Sequence, residues 1–311
     1  MNKRYAVIDL GTNTFNLLIA EVNADNSFTV LFKEEEFVKL AEDGIEFIGE
    51  RAFQRGIALI KKYKETIDQY NVKRVTGFGT AAIRNAANGD LFIEELKKNC
   101  PMEIRKISGD EEAELIYYGV KQAIHLEERP ALITDIGGGS VEFIIANHEK
   151  IFWKESFPIG GSILKKSFHH HDPIRAEEVV QLVNHIQQVL ASVIDKVKPY
   201  AVNHLIGASG SFDSMAQLIS ENINNEKLNP LATCTHISLR DFYLVYEQII
   251  KCNLEQRLNI KGMVWFRAEM MVVSLILAVY VIEKCNIRKI TRSAYALKEG
   301  ALWQISQGIT S

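Results

Sequence analysis

The sequence predicts an α/β protein built from two similar halves, and three observations carry that prediction. One phrase is written twice, as Ala6-Val-Ile-Asp-Leu-Gly-Thr-Asn-Thr14 and Leu132-Ile-Thr-Asp-Ile-Gly-Gly-Gly-Ser140, with Asp9 and Asp135 separated by 135 − 9 = 126 residues. Clusters of apolar β-type runs alternate with helical stretches along the chain, the pattern of mixed sheets covered by helices. The 311 residues, 47% of them hydrophobic, suffice for about two domains with a core each.

Taken in order, each copy of the phrase reads as apolar strand, tight turn, apolar strand. These are 4–10 and 14–22 in the first half, and 131–136 and 141–147 in the second. A third strand follows each, at 28–38 and 150–156. The first half continues with a helix at 50–70, a strand at 73–77, a helix starting near Thr80, a strand at 103–107 and a helix at 109–124. Helices at 160–168 and 174–196, a strand at 202–207, and helices at 211–221, 238–251 and 264–284 extend the second half. A strand at 287–292 and a helix at 295–307 close it. The Asn-rich segment Glu221–Pro230 reads as a mobile surface loop. No Pro/Gly/Ser linker separates the halves, so helix 109–124 is the natural crossover.

Composition narrows the function classes. A formal charge of −3, with no basic tail or Lys/Arg run, argues against a nucleic-acid binder. Cys100, Cys234, Cys252 and Cys285 form no CxxC pair and read as reduced thiols of a cytoplasmic protein. A strand begins almost at once, which leaves no visible signal peptide. The longest apolar run, Met270 to Ile282, falls short of the roughly 18 residues that span a bilayer and reads as a buried core helix.

The repeated turns are the candidate chemistry. Gly11 permits the positive φ that the first turn needs, and Thr12, Asn13 and Thr14 add side-chain donors. Gly137, Gly138 and Gly139 before Ser140 cost folding entropy without packing anything, so close backbone approach to a ligand is the better account. Exposed turn amides bind phosphate, and an aspartate at the end of the entering strand can hold a divalent cation against it. Two such turns imply two half-domains facing across a phosphate-sized cleft. Alternation along strand 141–147 makes Glu142 either a sheet-surface carboxylate or a second acid beside the phosphate.

Ser108-Gly-Asp-Glu111 is a capping box that explains Glu111. Glu112 lies on the border of the helix's apolar stripe (Ala113, Ile116, Tyr117, Val120, Ala123, Ile124) with no structural task, and becomes the candidate base. Gly207-Ala-Ser209-Gly210-Ser211 ends a strand and opens a helix, where the serines are either caps or neighbours of anion-binding amides. Gly77-Phe-Gly79-Thr-Ala-Ala82 imitates a dinucleotide fingerprint, but the acid expected about 20 residues on is missing. That segment does offer Arg84, able to fork onto phosphate oxygens. His169-His170-His171-Asp172 reads as a solvated loop, because adjacent histidines diverge.

These pieces, in this order, resemble the exopolyphosphatase/guanosine pentaphosphate phosphohydrolase (Ppx/GppA) family of the actin-like, sugar-kinase-like ATPase superfamily. The match includes AVIDLGTNTFNLLIAEV, GTAAIRNAANG, ISGDEEAELIYYGV, DIGGGSVEF, GASGS, FRAEM and ALKEGAL. The resemblance implies two ribonuclease-H-like domains flanking an interdomain cleft, at 1–124 (with helix 296–311 returning to it) and 125–295. It implies Glu112 as the catalytic glutamate acting on water. Asp135 and Glu142, with Asp9 through water, would serve Mg²⁺ or another divalent cation. Gly11–Thr14, Gly137–Ser140, Gly207, Ser209, Gly210, Ser211, Arg84 and Arg267 would bind phosphate. Two departures stand out: Asn16 where relatives commonly carry Arg or His, and a chain that stops soon after Ala301-Leu-Trp303.

The expected activity is metal-dependent release of orthophosphate from the end of inorganic polyphosphate, with short or medium chains preferred. Guanosine pentaphosphate hydrolysis, an ATP-dependent small-molecule kinase and a non-catalytic alarmone or polyphosphate sensor are the rivals. Glu112 in SGDEEA disfavours the kinase, and the full set of candidate acids disfavours the sensor. No nucleic-acid or membrane partner is expected, and a homodimer is left open.

Overall fold

A computed structural model of the chain describes residues 3–23 and 27–309. The chain divides into two units, one running to Gly119 and resuming at Ala296, the other spanning Val120–Tyr295. The expected division at 124/125 thus falls a turn earlier, inside a helix.

In the first unit β1 (Lys3–Leu10), β2 (Thr14–Val22) and β3 (Phe28–Phe37) form an antiparallel meander. Helix α1 (Glu50–Asp68) leads to β4 (Arg74–Gly79), parallel to β1. Helices α2 (Ala81–Asn85) and α3 (Gly89–Asn99) lead to β5 (Glu103–Lys106), parallel to β4, and then to α4 (Gly109–Ala123). The sheet order is β3-β2-β1-β4-β5. Helix α1 buries Ala52, Gly56, Ile60, Tyr63 and Ile67, a stripe at helical spacing. The Tyr63 hydroxyl donates to the Phe15 carbonyl at 2.8 Å, so the one polar atom on that stripe is satisfied.

The second unit repeats the plan. Strands β6 (Ala131–Ile136), β7 (Val141–Ala146) and β8 (Ile151–Phe157) form the meander. Helices α5 (Gly161–Phe168), α6 (Ala176–Val189) and α7 (Ala191–Val197) precede β9 (His204–Ala208), which is parallel to β6. Next come α8 (Ser209–Leu218), β10 (Cys234–Ile237), α9 (Leu239–Lys251), α10 (Leu254–Leu258) and α11 (Met271–Lys284). Strand β11 (Lys289–Ser293) is parallel to β9, and α12 (Leu297–Ser306) rejoins the first unit. The order β10-β11-β9-β6-β7-β8 is the first unit's order with β10 added at the edge. Each unit is therefore ribonuclease-H-like, and the pair is the fold of the actin-like ATPase superfamily. Helix α11 is buried on every face from Met271 to Ile282, as expected of a core helix. Among the described residues no helix is long and apolar enough to cross a membrane.

Several expectations are corrected. The helix expected from Thr80 is broken after Asn85. The Asn88 side chain clamps the backbone of Ile48, donating to its carbonyl and accepting from its N–H, both at 2.9 Å. Gly89 then packs so closely on the Ile83 carbonyl that a side chain there would collide. The helix expected at 174–196 is interrupted at Leu190, and that at 264–284 begins as a 3₁₀ turn, Trp265–Arg267, before α11. Strand β10 and helix α10 were not anticipated, although Asn253 and Gln256 form a capping box that sequence could have revealed. The His169–Asp172 tract is a loop with His170, His171 and Asp172 exposed, as expected, but it is anchored to the fold. His169 is buried, the backbone N–H groups of His170 and His171 donate to Glu178, and the buried Arg257 donates to Asp172 at 2.8 Å.

Candidate active site

Both repeated turns have the same skeleton. Gly11 N–H donates to the Thr14 carbonyl at 3.1 Å, and Gly137 N–H donates to the Ser140 carbonyl at 3.0 Å. Neither glycine adopts positive φ, contrary to the expectation for Gly11. The reason for glycine is space: a Cβ would lie 2.8 Å from the Thr14 oxygen or 3.1 Å from the Ser140 oxygen.

What orients each turn is a set of donors behind it. The carbonyl of Thr12 accepts from Leu40 N–H, and that of Asn13 accepts from Val38 and Lys39 N–H, at 2.7–2.8 Å. In the second unit the carbonyls of Gly137 and Gly138 accept from Gly161 and Ser162 N–H, at 2.8 and 2.9 Å. These last two donors are orphan amides of the first turn of α5. Gly160 lies against Gly138, where a Cβ would meet backbone. With the carbonyls engaged, the N–H groups of Gly138 and Gly139 donate to nothing among the described residues. Backbone N–H groups left without an acceptor are candidates to receive an anion.

Carboxylates line up beside each turn by strand register. Asp135 pairs with Glu142, which pairs with Ser156, so the three share one face of β6, β7 and β8. Asp135 is 8% exposed and Glu142 1%. The Ser156 hydroxyl donates to Glu142 Oε1 at 2.7 Å. Two adjacent carboxylates at the end of such a turn suit a hard divalent ion, and Mg²⁺ in particular binds through one or two carboxylates plus substrate phosphate. Among the described residues no three His, Cys, Asp or Glu side chains form an all-protein cage.

In the first unit the corresponding row is Asp9, Asn16 and Glu35. Asn16 donates to the Thr14 hydroxyl at 3.3 Å. Burial pushes the Asp9 carboxyl up to about 6. Lys298 opposes that rise, while Glu35 and Glu299 add to it.

The same edge of the first sheet carries Arg84 and Glu112. Thr80, just past β4, donates its N–H to the Leu10 carbonyl at 3.3 Å, and Arg84 follows on α2. Arg84 Nη1 donates to Glu112 Oε2 and to the Ile107 carbonyl, both at 3.0 Å. The capping box is present as read: Glu111 N–H donates to Ser108 Oγ at 3.1 Å, and Ser108 N–H donates to Glu111 Oε2 at 2.8 Å. Glu111 is exposed, whereas Glu112 is 8% exposed, deeper than a border position suggests.

At the end of β9, Ser209 opens α8 at φ +63°, a left-handed conformation uncommon for serine. Gly207 gives its missing side chain to packing, because Phe212 fills the space of a Cβ. Ser211 Oγ donates to the Ile136 carbonyl at 2.6 Å and ties α8 to the end of β6. Gly210 lies directly under the Arg267 guanidinium, whose Nη1 donates to Ser214 Oγ at 3.2 Å. A cation over a helix N-terminus is electrostatically unfavourable by itself and becomes favourable when an anion joins the two. The structure therefore collects Asp135, Gly137–Ser140, Glu142, Ser209–Ser211 and Arg267 in the second unit. It collects Asp9, Gly11–Thr14, Arg84 and Glu112 in the first. Sequence reasoning gave no role to Glu35, Ser156, Gly160 or Lys298. Strand pairing counted back from each turn would have reached Glu35 and Ser156.

The family model described as Ppx/GppA phosphatase family matches residues 18–307. The chain belongs to that family. As a family member it is similar to a protein named putative exopolyphosphatase from Haemophilus influenzae, with 28% identity, 98% of this chain and 92% of that protein aligned. It is also similar to the guanosine-5'-triphosphate,3'-diphosphate pyrophosphatase of Vibrio vulnificus, 27% identical over 97% of this chain, though the chain spans 59% of that protein's length. A crystal structure of an exopolyphosphatase from Cytophaga hutchinsonii superposes with a TM-score of 0.95 at 38% identity, covering 99% of each chain. The Aquifex aeolicus Ppx/GppA member superposes at 0.83 and 23% identity over the whole of both chains, which bears on the fold alone. The chain is thus an enzyme of a phosphatase family, with the expected fold.

Proposed function

We propose that the enzyme hydrolyses the terminal phosphoanhydride of inorganic polyphosphate with the help of a divalent cation and releases orthophosphate. The observation that carries the reading is the cross-strand Asp135–Glu142 pair at the end of the turn whose Gly138 and Gly139 amides donate to nothing among the described residues. A carboxylate pair next to free amides suits a phosphate chain together with its cation.

Mg²⁺ held by Asp135 and Glu142 would neutralise charge on the phosphate oxygens. Ser156 keeps Glu142 oriented for that task through its 2.7 Å hydrogen bond. The amides of Gly138 and Gly139, with Arg267, would stabilise charge developing on the phosphoryl oxygens. In the first unit, Arg84 spends Nη1 on Glu112 and on Ile107, which leaves Nε and Nη2 for a phosphate oxygen. Glu112, held by Arg84, would accept a hydrogen bond from the attacking water and take its proton as the bond to phosphorus forms.

The test is phosphate release from polyphosphate of several lengths and from guanosine pentaphosphate, with and without Mg²⁺. Release from polyphosphate only in the presence of Mg²⁺ is expected. Exclusive turnover of guanosine pentaphosphate would replace the substrate, the second reading offered by the Vibrio relative's name. Glu112→Gln should lower turnover by roughly 10²–10⁴-fold with substrate binding nearly intact. Full activity in that variant would remove Glu112 from the reaction.

A further inference from the structure

Three segments of the second unit meet at one buried guanidinium. Arg257 of α10 is 2% exposed, and its side chain bonds only to groups outside that helix. Nη1 donates to the Cys252 carbonyl at the end of α9, at 2.6 Å, and to Asp172 Oδ1 in the loop after α5, at 2.8 Å. Nε donates to the Ala268 carbonyl at 2.9 Å. Asp172 also accepts from Leu254 N–H through Oδ2, so the loop grips α10 at two points. A buried charge without a partner is strongly destabilising, and the Asp172 carboxylate with the two carbonyls satisfies this one.

The Nε bond reaches the residue that follows Arg267. Ala268 closes the 3₁₀ turn Trp265–Arg267, with its N–H on the Trp265 carbonyl at 3.3 Å. A single 3₁₀ turn has poor hydrogen-bond geometry and holds its backbone weakly by itself. Yet the Arg267 guanidinium lies against the Gly210 backbone, where a Cβ would collide with it, and donates to Ser214 Oγ at 3.2 Å. A cation over the N-terminus of α8 is not attracted there until an anion arrives, so the backbone must hold it in place. We infer, on the phosphate-binding reading of Arg267 above, that Arg257 paired with Asp172 is a positioning residue for Arg267. It fixes the turn so that the guanidinium stays over α8 for a phosphate oxygen, and it acts through Arg267 alone. A misplacement of about 1 Å in such a group can cost on the order of 10²-fold.

The test is a double-mutant cycle on binding of methylenediphosphonate, a phosphoanhydride mimic that cannot be hydrolysed, to the full chain with Mg²⁺, measured by titration calorimetry. Arg267→Gln should weaken binding roughly 10- to 100-fold, as for the loss of a charge-assisted hydrogen bond. Arg257→Lys should weaken it about 10-fold through the displaced turn. Added to Arg267→Gln, it should cost nothing further, because no guanidinium is left to place. Ile249→Val, a core change in α9, should lower the melting temperature and leave the affinity unchanged. A folded Arg257→Lys, checked by circular dichroism, with wild-type affinity would overturn the inference and leave Arg267 as a phosphate ligand. So would an additive loss in the double variant, or a matching loss in Ile249→Val, since either makes Arg257 a general stabiliser. If Arg257→Lys fails to fold, Asp172→Asn decides by the same cycle. A loss that vanishes in the Arg267→Gln background supports the role, and an unchanged affinity or an additive loss overturns it. Arg267→Gln at wild-type affinity, or a wild type that does not bind the mimic, would remove the phosphate reading and the inference together.

Discussion

The β1–β2 and β6–β7 turns share a backbone and differ in chemistry. Each closes with a glycine N–H on the carbonyl three residues later, and each has its own carbonyls held from behind. The residue seven positions after the turn's aspartate is Asn16 in one copy and Glu142 in the other, both paired with that aspartate across the hairpin. The support behind the turn also differs, being the irregular segment 38–40 in one unit and the N-terminus of α5 in the other. A repeated fold thus supplies a repeated cradle, while single side chains at matched register decide whether the cradle suits a metal. On the proposed reading the second unit would hold the divalent ion, and the first would supply Glu112 and Arg84.

The sharpest way to break this comparison is to neutralise the two aspartates separately. Asp135→Asn should abolish Mg²⁺-dependent phosphate release, because the amide loses the charge that holds a hard cation. Asp9→Asn should leave the Mg²⁺ midpoint within about twofold of wild type, as expected when metal ligands are untouched. Equal shifts of the Mg²⁺ titration in both variants would make the two turns equivalent.

The next effect concerns stability and pH. The Asp9 carboxyl sits near 6 in the folded protein against an ordinary 3.8. The folded state therefore keeps a proton that the unfolded chain loses, and stability from this group falls as pH rises from about 4 to 6 by linkage. Above that window the charge, on a half-buried side chain, costs at most about 3 kcal/mol. Asp9→Asn should raise the melting temperature at pH 7.5, and the gain should shrink towards zero near pH 4. A gain independent of pH would show that Asp9 is ionised without penalty.

Ser156→Ala removes the hydroxyl that orients Glu142 and should weaken Mg²⁺ activation by roughly 10-fold, the low end for an outer partner of a metal ligand. No equivalent loss is expected from changing Glu35 to Gln, since Asn16 separates it from Asp9. A Ser156→Ala enzyme with an unchanged Mg²⁺ midpoint would show that the hydrogen bond is structural only.

The smallest difference lies between the turn glycines. Alanine at either must push against a carbonyl, with a cost of about 1–3 kcal/mol for an overfilled site. Gly11→Ala should fall at the upper end, with its Cβ 2.8 Å from the Thr14 oxygen, and Gly137→Ala at the lower, at 3.1 Å. Urea denaturation of the two variants checks the order, and the reverse order would mean that the second turn is the stiffer one.

Much of this was legible before any coordinates, because it depends on local pattern. The repeat 126 residues apart, the strand–turn–strand phrases and the Ser108–Glu111 box are written in contiguous residues, so hydrophobic periodicity and capping chemistry reveal them. The choice of Glu112 over Glu111 also came from helical periodicity, and the burial of the two follows it. What tertiary structure alone decided involves residues distant in sequence. The break between α2 and α3 depends on Asn88 finding Ile48, 40 residues away. Arg84 reaches Glu112 across 28 residues, and Arg267 covers Gly210 through packing that no local pattern encodes. Helix α12 settles on α4 only because Gly119 and Gly300, 181 residues apart, each leave room for the other helix's backbone. Local sequence sets which groups face out of a turn or helix. The charge that compensates them comes from whichever distant segment packs alongside, and only the folded chain determines that.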